Sequence, residues 1–291
     1  PQLCFFRVID ASVLNARYLA YWFKSADFIH QVTERAHNTD MAAYVNLRDI
    51  RSLRLRIPRP TEQQAIAEVL GALDDKIAAN NSLIGTLANL ATAIFEAALG
   101  ADWRVKPLRE LAKFHNHRRI PLSSRQRAER HGVVPYYGAA GQVDFVDTPL
   151  FDENLVLVGE DGSVIRSDGR AVVQYIWGPS WVNNHAHVLT GKGISTELLR
   201  VTIERQNVAH LITGAVQPKI SMGKLKTLTL QVPTEADLSK LDAKIQSFAA
   251  GARVITDENK TLARTRDDLL PLLMSGKVRV REAEKVVEQV L

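Results

Sequence analysis

The sequence predicts an α+β protein in which mixed α and β units are separated by two long antiparallel coiled-coil helices, with an internal duplication whose first copy is truncated. Three observations carry this. Residues 45–58, from Val45 to Pro58, and residues 220–233, from Ile220 to Pro233, lie roughly 175 residues apart and place their apolar residues at matching positions. Both then run through Thr-Glu into a helical pattern with the same signature, Leu73-Asp74-x-Lys76-Ile77 and Leu241-Asp242-x-Lys244-Ile245. A period this long is a duplicated domain with its helix, not a solenoid repeat of about 20 to 50 residues. Apolar positions in both helical stretches alternate in steps of four and three, the signature of a coiled-coil seam. Strand-like runs bounded by Gly, Asp or Asn fill the stretch between the helices.

Taken in order, residues 1–57 match only the end of the repeated unit, with a helix expected over Tyr18–His30 and a strand over Leu53–Ile57. They read as the carboxyl-terminal remnant of a first domain. Pro58 and Pro60 signal a helix start, and residues 58–100 form the first long helix. Its seam runs through Ile66, Leu70, Leu73, Ile77, Asn80, Ile84, Leu87, Ala91, Ile94 and Ala98, and the lone Asn80 is a register-setting residue. Residues 101–233 form a second, complete domain, with strands expected at 154–159, 171–177, 187–190 and 228–232 and a helix over 196–212. Residues 234–276 repeat the helix behind Pro233, with a seam through Leu238, Leu241, Ile245, Phe248, Ala252, Ile255, Asn259, Leu262, Arg266, Leu269 and Leu273. Gly100 and Gly276 are the expected stops, and residues 277–291 remain as a carboxyl-terminal tail. Each helix spans roughly 55 to 60 Å at about 1.5 Å per residue, too long to stand alone in water, so the two pair with each other. If the domain between them has its ends close together, the pairing is antiparallel, with a unit at each end of a rod.

Composition narrows the functional classes. At 46% hydrophobic and 24% charged the chain is an ordinary core-forming protein. Its single Cys4 excludes an internal disulfide framework and a cysteine-rich zinc site, which fits a cytoplasmic setting. No apolar run reaches membrane length. Pro1 stands where an initiator methionine belongs, so the chain reads as processed or as a piece of something longer. Lys and Arg outnumber Asp and Glu by 9 to 5 over residues 1–59 and by 17 to 12 over 101–233; over 60–100 they are outnumbered 1 to 5, and over 234–291 they balance at 10 each. Positive charge therefore sits in the non-helical blocks, where a polyanion would be met.

The densest polar cluster comprises Lys113, His115, His117, Arg118, Arg119, Arg125, Arg127 and Arg130, six positive charges against Glu129. Arginines in such a run clamp phosphates bidentately and read guanine edges. A second patch, Lys219, Ser221, Lys224 and Lys226, corresponds in the repeat to Arg48, Arg51, Arg54 and Arg56. The alternative for each patch is a solvated basic surface, or a basic strand edge that deters aggregation. Residues Val134 to Gln142, with Tyr136, Tyr137 and Gln142, read as an aromatic, turn-rich loop, either for recognition or as a Pro-Gly-governed connection with two half-buried tyrosines. His185 and His187 at i, i+2 suggest a metal or nuclease centre, but no third ligand stands at a recognisable spacing, and strand-capping histidines are the simpler reading. Gly159-Glu160-Asp161-Gly162 lacks the ligand ladder of a calcium loop and reads as a tight turn. No phosphate-binding glycine loop or nucleophile elbow occurs.

These motifs together resemble one family, the DNA specificity subunit of type I restriction-modification systems. The resemblance is carried by Ile57-Pro58-x-Pro60-x-Glu62-Gln63-x-x-Ile66-Ala67, both Leu-Asp-x-Lys-Ile signatures, Val134-Pro135-Tyr136-Tyr137-Gly138-Ala139-x-Gly141, Leu157-Val158-Gly159-Glu160-Asp161-Gly162, Trp181-Val182-Asn183-Asn184-His185-Ala186-His187 and Leu272-Leu273-Met274-Ser275-Gly276-Lys277-Val278. It implies two target-recognition domains joined by conserved spacer helices, reading a bipartite double-stranded DNA target. It also implies no catalysis and no metal in this chain. Methyltransferase subunits would supply S-adenosylmethionine and restriction subunits ATP and Mg2+. The sequence departs from the pattern in the truncated first domain, which admits self-dimerisation or a coiled-coil interaction module without DNA reading. The second helix also begins without the Glu-Gln and Ile-Ala of the first.

Overall fold

The computed structural model describes residues 4–37, 44–98, 103–214 and 216–291. The chain divides into two compact units, Pro1–Gly85 with Ala252–Leu291, and Thr86–Gly251. The first unit opens with three short helices, α1 (Ala16–Trp22), α2 (Ala26–Glu34) and α3 (Leu47–Arg51), capped by Asn15, Ser25 and Asn46, whose side chains accept from the first-turn N–H groups. The single helix expected over 18–30 is thus two, broken where Ser25 turns its hydroxyl to the Trp22 carbonyl (2.7 Å) and caps the next helix. The strand expected over 53–57 does not form, because among the described residues no segment pairs with it, and a strand needs a neighbour for its N–H and C=O groups. The long helix α4 (Pro60–Ala97) starts at the expected proline. Gln63, fully buried, fastens that start: its amide donates to the Val13 and Pro58 carbonyls (2.9 and 2.8 Å), and its carbonyl accepts from the Asn15 N–H (2.9 Å). The expected stop at Gly100 lies outside the described residues.

The second unit is the complete mixed domain. Its elements run β1 (Trp103–Pro107), α5 (Leu108–Leu111), β2 (Ala112–Phe114), α6 (Ser124–Ala128), β3 (Val134–Tyr137), β4 (Gln142–Val146), β5 (Phe151–Asp152), β6 (Leu155–Gly159), β7 (Val173–Ile176), β8 (Pro179–Val182), β9 (Ala186–Gly191), α7 (Thr196–Glu204), α8 (Met222–Thr227) and β10 (Thr229–Pro233). Strands order as β2-β9-β6-β7, as β4-β3-β8-β5, and as an antiparallel β1-β10 pair. The four strands expected from the sequence are β6, β7, β9 and β10. The expected aromatic loop is instead the β3-β4 hairpin, with Tyr136 1% exposed. Pro135 is tolerated there, which hides the strand from a reading of residue types. The helix expected over 196–212 stops at Glu204, with a single 3-10 turn at Ala209–Leu211. Burial is complete on β6, where Leu155, Val156, Leu157 and Val158 are all 0% exposed. One face of that strand, Val156 and Val158, joins a core that also takes Phe95, Leu198, Leu230 and Ile245.

The second long helix, α9 (Glu235–Ser275), ends at Gly276, whose φ of +73° is the left-handed conformation expected of a helix stop. Within the first unit α4 and α9 run antiparallel. Asn80 donates to Asn259 Oδ1 and to Glu258 (both 2.9 Å), Lys76 faces Glu258 at 3.4 Å, and Asp74 accepts from Arg266 at 2.6 Å. The seam asparagines are thus bonded to each other, and the Asn259 amide donates onward to Asn81 Oδ1 at 3.0 Å. Ile66, Leu70, Leu73, Leu262, Leu269 and Leu273 are buried with Tyr18, Tyr21 and Trp22, while Ile77, Ile84, Leu87, Ile255 and Asn259 are half-buried, as a two-helix seam with water on both flanks must be. In the second unit Leu241 and Ile245 of the seam join Ala91 and Phe95 in the core. The final segment is more than a tail: α10 (Val280–Glu288) buries Ala283 and Val287 in the first unit's core.

Candidate nucleic-acid interface

The repeated Leu-Asp-x-Lys-Ile signature ties each long helix to its own unit. Asp74 accepts from Tyr21 Oη (2.8 Å) and Arg266; burial alone would raise its pKa, but these bonds outweigh burial and hold it below the usual carboxylate range. Burial, with the bond to Asp74, pushes the Tyr21 hydroxyl up. In the second unit Asp242 accepts from the Ser195 N–H at 2.9 Å, at the start of α7.

The structure divides the arginine cluster that the sequence presents as one patch. Arg119, 13% exposed, pairs with Glu160 (2.7 Å) and donates to the carbonyls of Asn116 (3.0 Å) and Ala186 (2.7 Å). Arg118 pairs with Glu153 (2.6 Å), donates to the Leu150 carbonyl and lies 4.2 Å over the Phe151 ring. Arg127 holds Asp144 (2.7 Å) over Tyr136, and Arg130 holds Asp147 (2.9 Å) over Trp181. The Arg127 bond keeps the Asp144 carboxyl below its ordinary range. These four guanidiniums are committed to the fold. Arg125 is 91% exposed beside Glu129, and Gln142 is exposed at the hairpin. Tyr136, expected as a recognition residue, is a core residue whose hydroxyl accepts from the Leu122 N–H at 3.0 Å. Tyr137 is half-buried, and burial raises its pKa.

The histidine and acidic motifs meet in one buried network. His187, 0% exposed, bonds through Nε2 to the Ile220 carbonyl and through Nδ1 to Asn116 Nδ2 (both 2.8 Å), so Nε2 carries the proton and the ring is neutral. Burial holds its pKa below the ordinary value, as it does for His115. Glu160 gathers Arg119, Lys219 (3.6 Å) and His187 (3.4 Å), and Asp161 bonds to His185. Among the described residues no three His, Cys, Asp or Glu side chains stand close enough to hold a metal. His187 stands within β9 and His185 just before it, each bonded to neighbouring loops and side chains. Ser221 caps α8, accepting from the Lys224 N–H at 3.3 Å.

The remaining cations converge elsewhere. Arg109 of α5, Lys113 of β2, Lys192 of the turn after β9 and Lys226 of α8 line one shallow groove of ≈ 440 Å³ floored by Ala112 and Phe114. None of the lining residues is acidic, and Lys226 Nζ lies 5.2 Å over the Phe114 ring. The β2-β9 pairing places Lys113 opposite Thr190, and the Lys192 N–H bonds the Leu111 carbonyl (2.8 Å), which brings the Lys113 and Lys192 segments together at the groove. The sequence places Lys113 and Lys226 in different patches. It does not single out Arg109 or Lys192; the signal for Lys192 is its place in Gly191-Lys192-Gly193, an exposed turn tip where Gly193 has a φ of +75°. Lys224 is exposed on the same helix as Lys226. In the first unit Arg48 and Arg51 are exposed on α3, at the place α8 holds in the repeat.

Residues 100–251, just over half of the chain, match the family described as the type I restriction modification DNA specificity domain. The chain belongs to this family. A putative type I restriction enzyme specificity subunit of Haemophilus influenzae is 31% identical over 135 residues, which cover 46% of this chain and 34% of that protein. The type I restriction enzyme MjaIX specificity subunit of Methanocaldococcus jannaschii is 20% identical over an alignment covering 96% of this chain and 72% of that protein. The crystal structure of a type I restriction-modification S subunit from M. genitalium superposes with a TM-score of 0.55 at 20% identity, over 91% of this chain and 74% of that one, and shares the fold. As a member of the family the chain is a specificity component rather than an enzyme. Among the described residues no helix is long and apolar enough to cross a membrane.

Proposed function

We propose that this chain is a sequence-reading DNA-binding subunit that scaffolds the methyltransferase and restriction subunits of a type I complex in the cytoplasm. The observation that carries DNA reading is the groove of Arg109, Lys113, Lys192 and Lys226, four cations with no carboxylate among its lining residues, inside the family-matched domain. Four like charges held side by side repel one another, and a phosphate backbone relieves that repulsion while releasing its own counterions. Gln142, Arg125 and Lys224 are further exposed polar groups of the same unit. Arg48 and Arg51 offer a second, smaller basic surface for the other half of a bipartite target, and the paired helices set the spacing between half-sites. S-adenosylmethionine, ATP and Mg2+ then belong to the partner subunits.

A second reading, an interaction module without DNA reading, is favoured by one observation: among the described residues of the first unit no strand pairs with residues 53–57. Duplex binding by the full chain assembled with a methyltransferase subunit, measured by fluorescence anisotropy across a salt series, separates the two. Affinity that falls steeply with salt supports DNA reading. No binding at low salt leaves the module.

A further inference from the structure

The internal repeat aligns Leu53, Leu55 and Ile57 with Leu228, Leu230 and Val232. In the second unit Leu230 and Val232 lie in β10, opposite Lys106 and Arg104 of β1, and Leu228 stands immediately before the strand. The phase of the ladder is set by the Leu108 N–H, which bonds the Leu228 carbonyl at 2.7 Å. Alternation then makes 108 with 228, 106 with 230 and 104 with 232 the hydrogen-bonded pairs. Pro107 and Pro233 fall at non-bonded positions, where a missing N–H costs nothing.

The same stretch of the first unit is covered on one edge only. Gln31 stands in for a neighbouring peptide group: its carbonyl accepts from the Arg54 N–H (2.8 Å) and its amide donates to the Arg54 carbonyl (2.7 Å). Tyr18 Oη donates to the Arg56 carbonyl at 3.0 Å. On the other edge, among the described residues, the Leu53 carbonyl and both backbone groups of Leu55 and Ile57 have no partner, although Leu53 N–H bonds the Ile50 carbonyl just as Leu228 N–H bonds Leu225. Burial differs in the same sense: Val232 is 3% exposed in the covered copy and Ile57 53% in the uncovered one. Among the described residues everything a strand edge needs is present except the strand.

We propose that Leu53–Ile57 is an acceptor edge for an added antiparallel β-strand, and that its occupant is an extended polypeptide segment of the β1 pattern, an aromatic residue followed by alternating positions with proline confined to a non-bonded site. This is β-augmentation, in which main-chain bonds supply affinity and the register supplies specificity. The repeat predicts that register: the residue equivalent to Lys106 faces Leu55, and that equivalent to Arg104 faces Ile57. The inference is independent of DNA reading.

Hydrogen exchange of the full chain, with and without a capped synthetic peptide of residues 103–108 at up to millimolar concentration, tests it. The Leu55 and Ile57 amides exchange fast in the chain alone and slow at least tenfold with peptide, while Arg54, already held by Gln31, is unchanged. A peptide N-methylated at Lys106 binds at least about fivefold more weakly, and one N-methylated at Val105 binds as the parent does. Leu55 and Ile57 amides already as slow as Arg54, no slowing at millimolar peptide, or equal effects of the two methylations overturn the proposal. Protection that appears on concentrating the chain alone assigns the edge to a second copy, which also overturns it as stated.

Discussion

Replacing Arg119 by alanine distinguishes a latch from a phosphate clamp. Its guanidinium, 13% exposed, bonds a Glu160 that is itself 15% exposed, and it supplies donors to the carbonyls of Asn116 and Ala186. Removing one member of a buried pair costs about 3 to 5 kcal/mol, because its partner is left charged and dry. Lys219 still faces Glu160 at 3.6 Å and softens that penalty, so about 2 to 4 kcal/mol is expected. For a unit of this size that is a fall in Tm of roughly 5 to 15 °C. Three of the four tryptophans, Trp103, Trp177 and Trp181, lie in the second unit, so tryptophan fluorescence of a Trp22→Phe background during urea or thermal unfolding follows it. Lys113→Ala, at an exposed site without an ion pair among the described residues, shifts stability by less than about 0.5 kcal/mol. An Arg119→Ala protein that melts as the parent does but binds duplex as weakly as Lys113→Ala refutes the reasoning.

Asn80 is 5% exposed and bonds Asn259 across the helix pair. Asn80→Leu alone strands the Asn259 carbonyl and lowers stability by about 1 to 2 kcal/mol, whereas Asn80→Leu with Asn259→Leu recovers it or exceeds the parent, read from urea midpoints. Burial depresses the pKa values of His187 and His115 in the folded chain. Between those values and about 6.5 the unfolded chain binds more protons, so stability is complete above about pH 6.5 and is lost as pH falls below it. Unfolding midpoints at about pH 7.5 and about pH 5.5, on either side of that value, check the trend, and imidazole NMR signals of these two residues that titrate near 6.5 contradict it.

The long helices are legible in the sequence because a seam needs only spacing: each expected position, from Ile66 to Leu273, is buried or half-buried. Of the strands of the second unit, β6, β7, β9 and β10 are legible as apolar runs; the short or mixed β1, β2, β4, β5 and β8 are not, nor is β3, where Pro135 and two tyrosines resemble a loop. The stretch 53–57 misleads for a different reason. Its residues carry the right pattern, but a strand is a property of a pair, and among the described residues no partner stands beside it. Candidate site residues are harder still. Arg118, Arg119, Arg127 and Arg130 look like a patch until their acidic partners, Glu153, Glu160, Asp144 and Asp147, are brought in from up to 41 residues away. The groove, by contrast, is assembled from three separate segments, 109–114, the turn at Lys192 and the helix of Lys226, and only the topology shows that Lys113 and Lys226 are neighbours.

Salt dependence of duplex binding, with groove variants in the full chain assembled with a methyltransferase subunit, tests the central claim most directly. Each groove cation that neutralises one phosphate contributes about 0.9 to the slope of log K against log salt. Lys113→Ala, Lys192→Ala, Lys226→Ala and Arg109→Ala each reduce that slope by about 0.9 while leaving unfolding midpoints unchanged. Slopes that stay at the parent value in all four variants contradict the account and remove the groove from the DNA interface.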